Sequence, residues 1–170
     1  MPVVRLIAAA LTCLALTVCF QSSTEFIPAA QAEFPFETIT SRAVDEEDAY
    51  TLSREGDSYR PENEDTTVRL KKITGDTWLV QTAVVDDGKT VFLYGVAVLD
   101  AGGKRFKVYK ALAEDADRDP AVLAKYGLSI CAEEADNVCP PSAEAYLAYA
   151  RDRIAAGDAP SSEFEILERK

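Results

Sequence analysis

The sequence predicts an α+β domain: an antiparallel four-stranded meander, about residues 68–111, within a small sheet of four to seven strands, packed with a C-terminal helix, about residues 143–156, and a final strand. Three observations carry this. Runs rich in Val, Thr, Tyr, Phe and Trp between Val68 and Ala111 are punctuated by Thr74-Gly75-Asp76, Asp87-Gly88 and Gly102-Gly103, all hairpin-turn signals. Beyond Ala111 the apolar spacing changes from two residues to three and four. The 170 residues are 48% hydrophobic and 9% aromatic, which is enough for one packed core and excludes wholesale disorder.

Taken in order, residues 1–32 read as a secretory signal peptide. Arg5 supplies the basic start, Leu6 to Phe20 form an uncharged apolar run, and Ala30-Gln31-Ala32 offers the small-x-small pattern of signal peptidase, so the mature chain is expected to begin at Glu33. The run is shorter than the roughly 18 to 20 residues of a membrane-spanning helix, so no transmembrane segment is expected in the mature chain. A second reading of the same stretch is lipoprotein anchoring, because Leu16-Thr17-Val18-Cys19 resembles the bacterial lipobox in ending on cysteine. Val18 and Phe20 depart from that pattern, which favours the exported, periplasmic or extracellular reading.

Residues 33–66 form an acidic lead-in with one hairpin at most. Phe34, Phe36 and Ile39 precede Asp45-Glu46-Glu47-Asp48, and Tyr50-Thr51-Leu52 precedes the polar stretch after Gly56. Residues 67–170 follow as a single domain with one disulfide. Taking Asp87-Gly88 and Gly102-Gly103 as two-residue turns sets Val84 opposite Val91, Trp78 opposite Ala97 and Val98 opposite Lys107, and the Gly75 turn sets Leu70 opposite Val80. One face then gathers Val68, Leu70, Trp78, Val80, Leu99 and Val108, and the helix is expected to cover it. Asp119-Pro120 opens a short helix that Gly127 ends. Ser142 caps a second, in which Ala143, Leu147, Ala150 and Ile154 share a face, and Glu163–Leu167 is the last strand. Cys131 and Cys139, an even pair in an exported chain, are expected to form a local disulfide.

Function is narrowed mainly by exclusion. With 29 acidic and 18 basic residues the formal charge is −11, and the sequence pI near 4.5 opposes nucleic acid and anionic membrane surfaces. There is no histidine, so Ser-His-Asp and Cys-His catalysis and histidine-ligated metals are impossible. Asp115-x-Asp117-x-Asp119 begins like a calcium loop, but Pro120 stands where glycine is needed and Tyr126 where the bidentate glutamate belongs. No nucleophile motif or phosphate loop occurs, and no pair among the many carboxylates is singled out for hydrolysis. No cofactor is implied. The reading that remains is an exported acidic binding or interaction module of the bacterial envelope. The alternatives are an inhibitor of a basic hydrolase, an accessory subunit of an envelope assembly and a carboxylate-based hydrolase. The expected site lies on the other sheet face, where Tyr94 and Val96 form an apolar stripe between Arg69 and Lys71 on one margin and Arg105 and Lys107 on the other. An anionic amphiphile suits that stripe and a basic protein suits the overall charge; the competing reading of the basic margins is protection of sheet edges.

Overall fold

The computed structural model describes residues 19–62, 64–86, 88–110 and 112–170. Residues 1–18, which hold most of the expected leader and the first three lipobox positions, lie outside the described residues, as do Asn63, Asp87 and Ala111. The elements in order are β1 (Gln21–Ser22), β2 (Thr38–Ala43), β3 (Ala49–Glu55), β4 (Ser58–Pro61), β5 (Thr67–Thr74), β6 (Thr77–Asp86), β7 (Lys89–Leu99) and β8 (Arg105–Tyr109). Then come α1 (Pro120–Tyr126), β9 (Ser129–Ile130), β10 (Val138–Cys139), α2 (Ala143–Ala155) and β11 (Ser162–Arg169).

Strand outweighs helix, 46% against 18%, and the sheet closes: the expected small α+β sheet is an eight-stranded antiparallel barrel. From β2 to β8 each strand pairs with the next in sequence, and β11 then joins β8 to β2 and completes the ring. The meander keeps the register expected from its turns, with Leu70 opposite Val80, Trp78 opposite Ala97, Val84 opposite Val91 and Val98 opposite Lys107. Gly88, at φ +76°, supplies the left-handed backbone that a tight hairpin turn requires. The turn at Gly102-Gly103 is wider than two residues. Asp100 closes it, its amide donating to the Arg105 carbonyl at 2.9 Å and its carboxylate accepting from the Lys104 amide at 2.7 Å. The loop stays centred on the two glycines, so the register is unchanged.

Closure decides which face goes where. The Trp78 face curls into the barrel interior, and residues 33–66, expected to supply one hairpin at most, give three wall strands that turn Ile39, Tyr50, Leu52 and Tyr59 inward. Barrel formation removes the need for a covering helix on that face, because the strands cover one another. Helix α2 therefore packs on the outside, against Leu79, Tyr94 and Val96, and the expected packing of this helix on the Trp78 face is corrected. Local signals hold: the Ser142 hydroxyl accepts from the Ala145 amide at 3.2 Å, Asp119 accepts from the Ala121 amide at 2.7 Å, and Gly127 ends α1 with φ +66°. Cys131 and Cys139 are bonded, stapling the β9–β10 hairpin.

Residues 19–32 form a strap over the outside of the barrel. Phe20 and Ile27 are fully buried, Phe20 against the rings of Tyr146 and Tyr149, and Phe26 stacks on Tyr94 with ring centroids 4.2 Å apart. The strap also fills two seams in the wall. Below the four β7–β8 pairs, β1 takes the vacant β7 edge at Phe92 and Leu93; where β4 and β5 share a single pair, the Glu33 amide donates to the Leu70 carbonyl at 2.8 Å. A chain beginning at Glu33 would lack everything in this strap before its last bridge.

The interior cavity and the covered outer face

The interior is not filled. An apolar cavity of about 140 Å³ remains, walled by Leu52, Leu70, Trp78, Leu99, Phe106 and Phe164 among others. These side chains arrive there by strand alternation: Leu70, Trp78 and Leu99 each lie an even number of positions from an inward neighbour. One end of the cavity is crossed by Pro35 and Phe36 of the segment entering β2. That segment is clamped, because the buried Tyr59 hydroxyl donates to the Phe36 carbonyl at 2.7 Å and burial raises the Tyr59 pKa, keeping the phenol protonated. At the same end Lys72 lies 5.5 Å from the Trp78 ring centroid, and Arg169 lines the cavity. The Arg169 guanidinium lies across Gly103, where an added Cβ would come within 3.2 Å of it, so the glycine gives the side chain its room.

The two ends differ in charge. The turns at the far rim carry Asp45, Glu46, Glu47 and Asp48 between β2 and β3 and Glu62, Glu64 and Asp65 between β4 and β5. Tyr50 points into the cavity from that side and donates to Glu46 at 2.6 Å. Burial first, then this bond and the negative charge of Glu46, Asp48 and Glu64, push its pKa up to about 12.

The outer stripe expected to hold an amphiphile is occupied by the protein itself. Tyr94 and Val96 are each 2% exposed, beneath α2 and the strap. The Tyr94 hydroxyl donates to the Thr24 carbonyl at 2.5 Å, and the Tyr146 hydroxyl donates to the carbonyls of Tyr94 and Lys110 at 3.1 and 2.7 Å. Arg69 is held by Asp57 at 3.1 Å, by the Ile27 carbonyl and by Glu25, while Lys71 donates to Gln31 at 2.6 Å. Arg105 and Lys107 share Glu163 at 3.7 and 4.0 Å. The structure thus brings the six residues onto one face but leaves no open stripe between them. The sequence does not mark the residues that line a real cavity as a site, although Leu70 and Trp78 share the apolar face expected to lie under the helix; Arg169, inside a charged C-terminal run, carries no sequence signal.

A buried ionic cluster also lies outside the barrel. The Lys110 ammonium meets Asp158 at 2.6 Å and Asp117 at 4.0 Å, Arg153 meets Asp158 at 2.8 Å, and the Tyr149 hydroxyl donates to Asp117. Asp117 and Asp119, two of the three aspartates with calcium-loop spacing, are thus committed, one to this cluster and the other to capping α1. Every member has a partner, so the cluster fastens α2 to β8.

Comparison with known protein families, with curated proteins and with solved structures finds no match. The geometry alone therefore defines the class: an eight-stranded antiparallel barrel with a small apolar chamber, one end of which has Lys72 and Arg169 beside it.

Proposed function

We propose that the protein is a binding module that holds a small apolar molecule inside the barrel. The observation that carries this reading is the cavity. Protein interiors pack with few voids larger than a water molecule. At about 24 cal/mol per Å³ a closed void of 140 Å³ would cost roughly 3 kcal/mol; this chamber opens at one end, which lets a ligand rather than neighbouring side chains fill it. An apolar volume of this size accommodates a molecule about as large as benzene. The anionic amphiphile expected on the outer stripe is thus replaced by a ring-sized or short-chain ligand within. The Cys131–Cys139 disulfide, and the lack of any helix among the described residues long and apolar enough to cross a membrane, are compatible with the exported location that belongs to this proposal.

Trp78 is the single tryptophan and lines the cavity, so its fluorescence reports occupancy directly. Toluene is expected to change Trp78 emission saturably and to raise the melting temperature, as any ligand of the native state does. Ala97→Leu, which fills the chamber beside Trp78, should abolish both responses while leaving the fold intact. Absence of a saturable response in the wild type would remove the proposal.

A further inference from the structure

We infer that the natural ligand is a small monocarboxylate, its apolar part seated among Leu70, Trp78 and Phe106 and its carboxylate held by Arg169. The inference rests on the cavity reading and adds the chemical class of the ligand. Arg169 lines the cavity and has no carboxylate or hydrogen-bond partner among the described residues, in a chain with eleven more acids than bases. Arg42, Arg54, Arg60 and Arg69, by contrast, each meet an acid. A guanidinium is a planar fork of donors that matches a carboxylate with two parallel hydrogen bonds, which an ammonium does not.

The charge asymmetry of the barrel gives the same direction. The far rim is lined by acids that repel an anion, whereas at the other end Lys72 and Arg169 stand among Glu37, Asp76 and Asp100, so among the described residues cationic groups for a carboxylate at the cavity are found only at that end. Volume sets the size: 140 Å³ admits one six-membered ring or a short alkyl chain and excludes the tail of a long fatty acid.

The test compares phenylacetate with its neutral isostere phenylacetamide, and hexanoate with hexanamide, in titrations read by Trp78 fluorescence, on the wild type and Arg169→Gln. Toluene serves as the control for the cavity itself. The expected result is that each carboxylate binds at least about tenfold more tightly than its amide, that Arg169→Gln erases this preference, and that toluene binds both proteins equally. Equal affinity for acid and amide, or a preference that survives Arg169→Gln, overturns the carboxylate assignment while toluene binding leaves the cavity reading standing. Failure of all five compounds, toluene included, overturns both.

Discussion

Gln81 is 2% exposed on the outer face of β6, and its amide is committed to the strap: the oxygen accepts from the Phe26 and Ile27 amides at 2.7 and 2.8 Å, and the nitrogen donates to the Ile27 carbonyl at 3.2 Å. Replacement by leucine keeps the volume but strands these groups, so Gln81→Leu should lower stability by about 2 to 4 kcal/mol in urea melts. An unchanged midpoint would mean that the strap is not seated. Asp158 supplies a second residue-scale expectation. Its burial alone would raise its pKa, but the hydrogen bond and charge of Lys110, with Arg153 behind, outweigh that and leave it below the ordinary carboxylate value. A folded-state pKa below the unfolded one means that the unfolded chain takes up the proton first. The stabilisation is therefore complete above the ordinary carboxylate range and is lost as the pH falls through the lowered value. Asp158→Asn leaves the buried Lys110 ammonium with only the more distant Asp117, and should cost about 3 to 5 kcal/mol at neutral pH. Melts repeated at progressively lower pH should show the gap to wild type narrowing, and a constant gap would contradict the ion-pair account. Neither residue could be read this way in advance, since a lone glutamine in a strand and one aspartate among many acids reveal nothing until distant segments meet them.

Among the elements, the β9–β10 hairpin and the strap are coupled. The Asn137 side-chain oxygen accepts from the Cys19 amide at 2.8 Å, and the Val138 amide donates to the Cys19 carbonyl at 2.9 Å, so the stapled hairpin holds the start of the strap. Closing so short a loop stabilises by roughly 2.5 kcal/mol on the chain-entropy estimate, and the Cys131→Ser, Cys139→Ser pair should lose about 1 to 3 kcal/mol. The distinguishing readout is amide exchange: protection should fall first at Phe20–Ser22, and a loss confined to the hairpin would break the coupling. The strap also bears on processing. Because Phe20, Ile27 and the Gln81 bonds all belong to the folded body, intact mass of exported protein is expected to show a start upstream of Phe20. A species beginning at Glu33 would show that the barrel matures without its strap. The leader reading to Ala32 rests on Phe20 continuing the apolar run and on the small residues of Ala30-Gln31-Ala32; the packing of residues 19–32 carries no sequence signal because it depends on β6, β7 and α2.

For the whole molecule, the alternation of Val68–Val108 and the turn glycines made half of the barrel legible, register included. The last strand is legible too, but Thr38, Ser41, Arg42, Ser53 and Arg60 make β2–β4 look like loops, which hides the closure and places the helix on the wrong face. A ring built in this order has one joint unlike the rest. Seven of its eight strands are consecutive in sequence, but β2 is sealed by β11, with Ile39 paired to Arg169 from the far side of the other strands in sequence. Pairing so remote is slow to form, because the loop entropy must be overcome before any contact rewards it. A chain emerging from the ribosome with its N-terminus first must carry β2 as an unsealed edge until β11 arrives. Removal of Ser162–Lys170 should accordingly leave a species that binds hydrophobic dyes and self-associates rather than a slightly weaker barrel, and light scattering would show the difference. Closure waits on one strand: β11 is what turns an adhesive strip into a closed vessel.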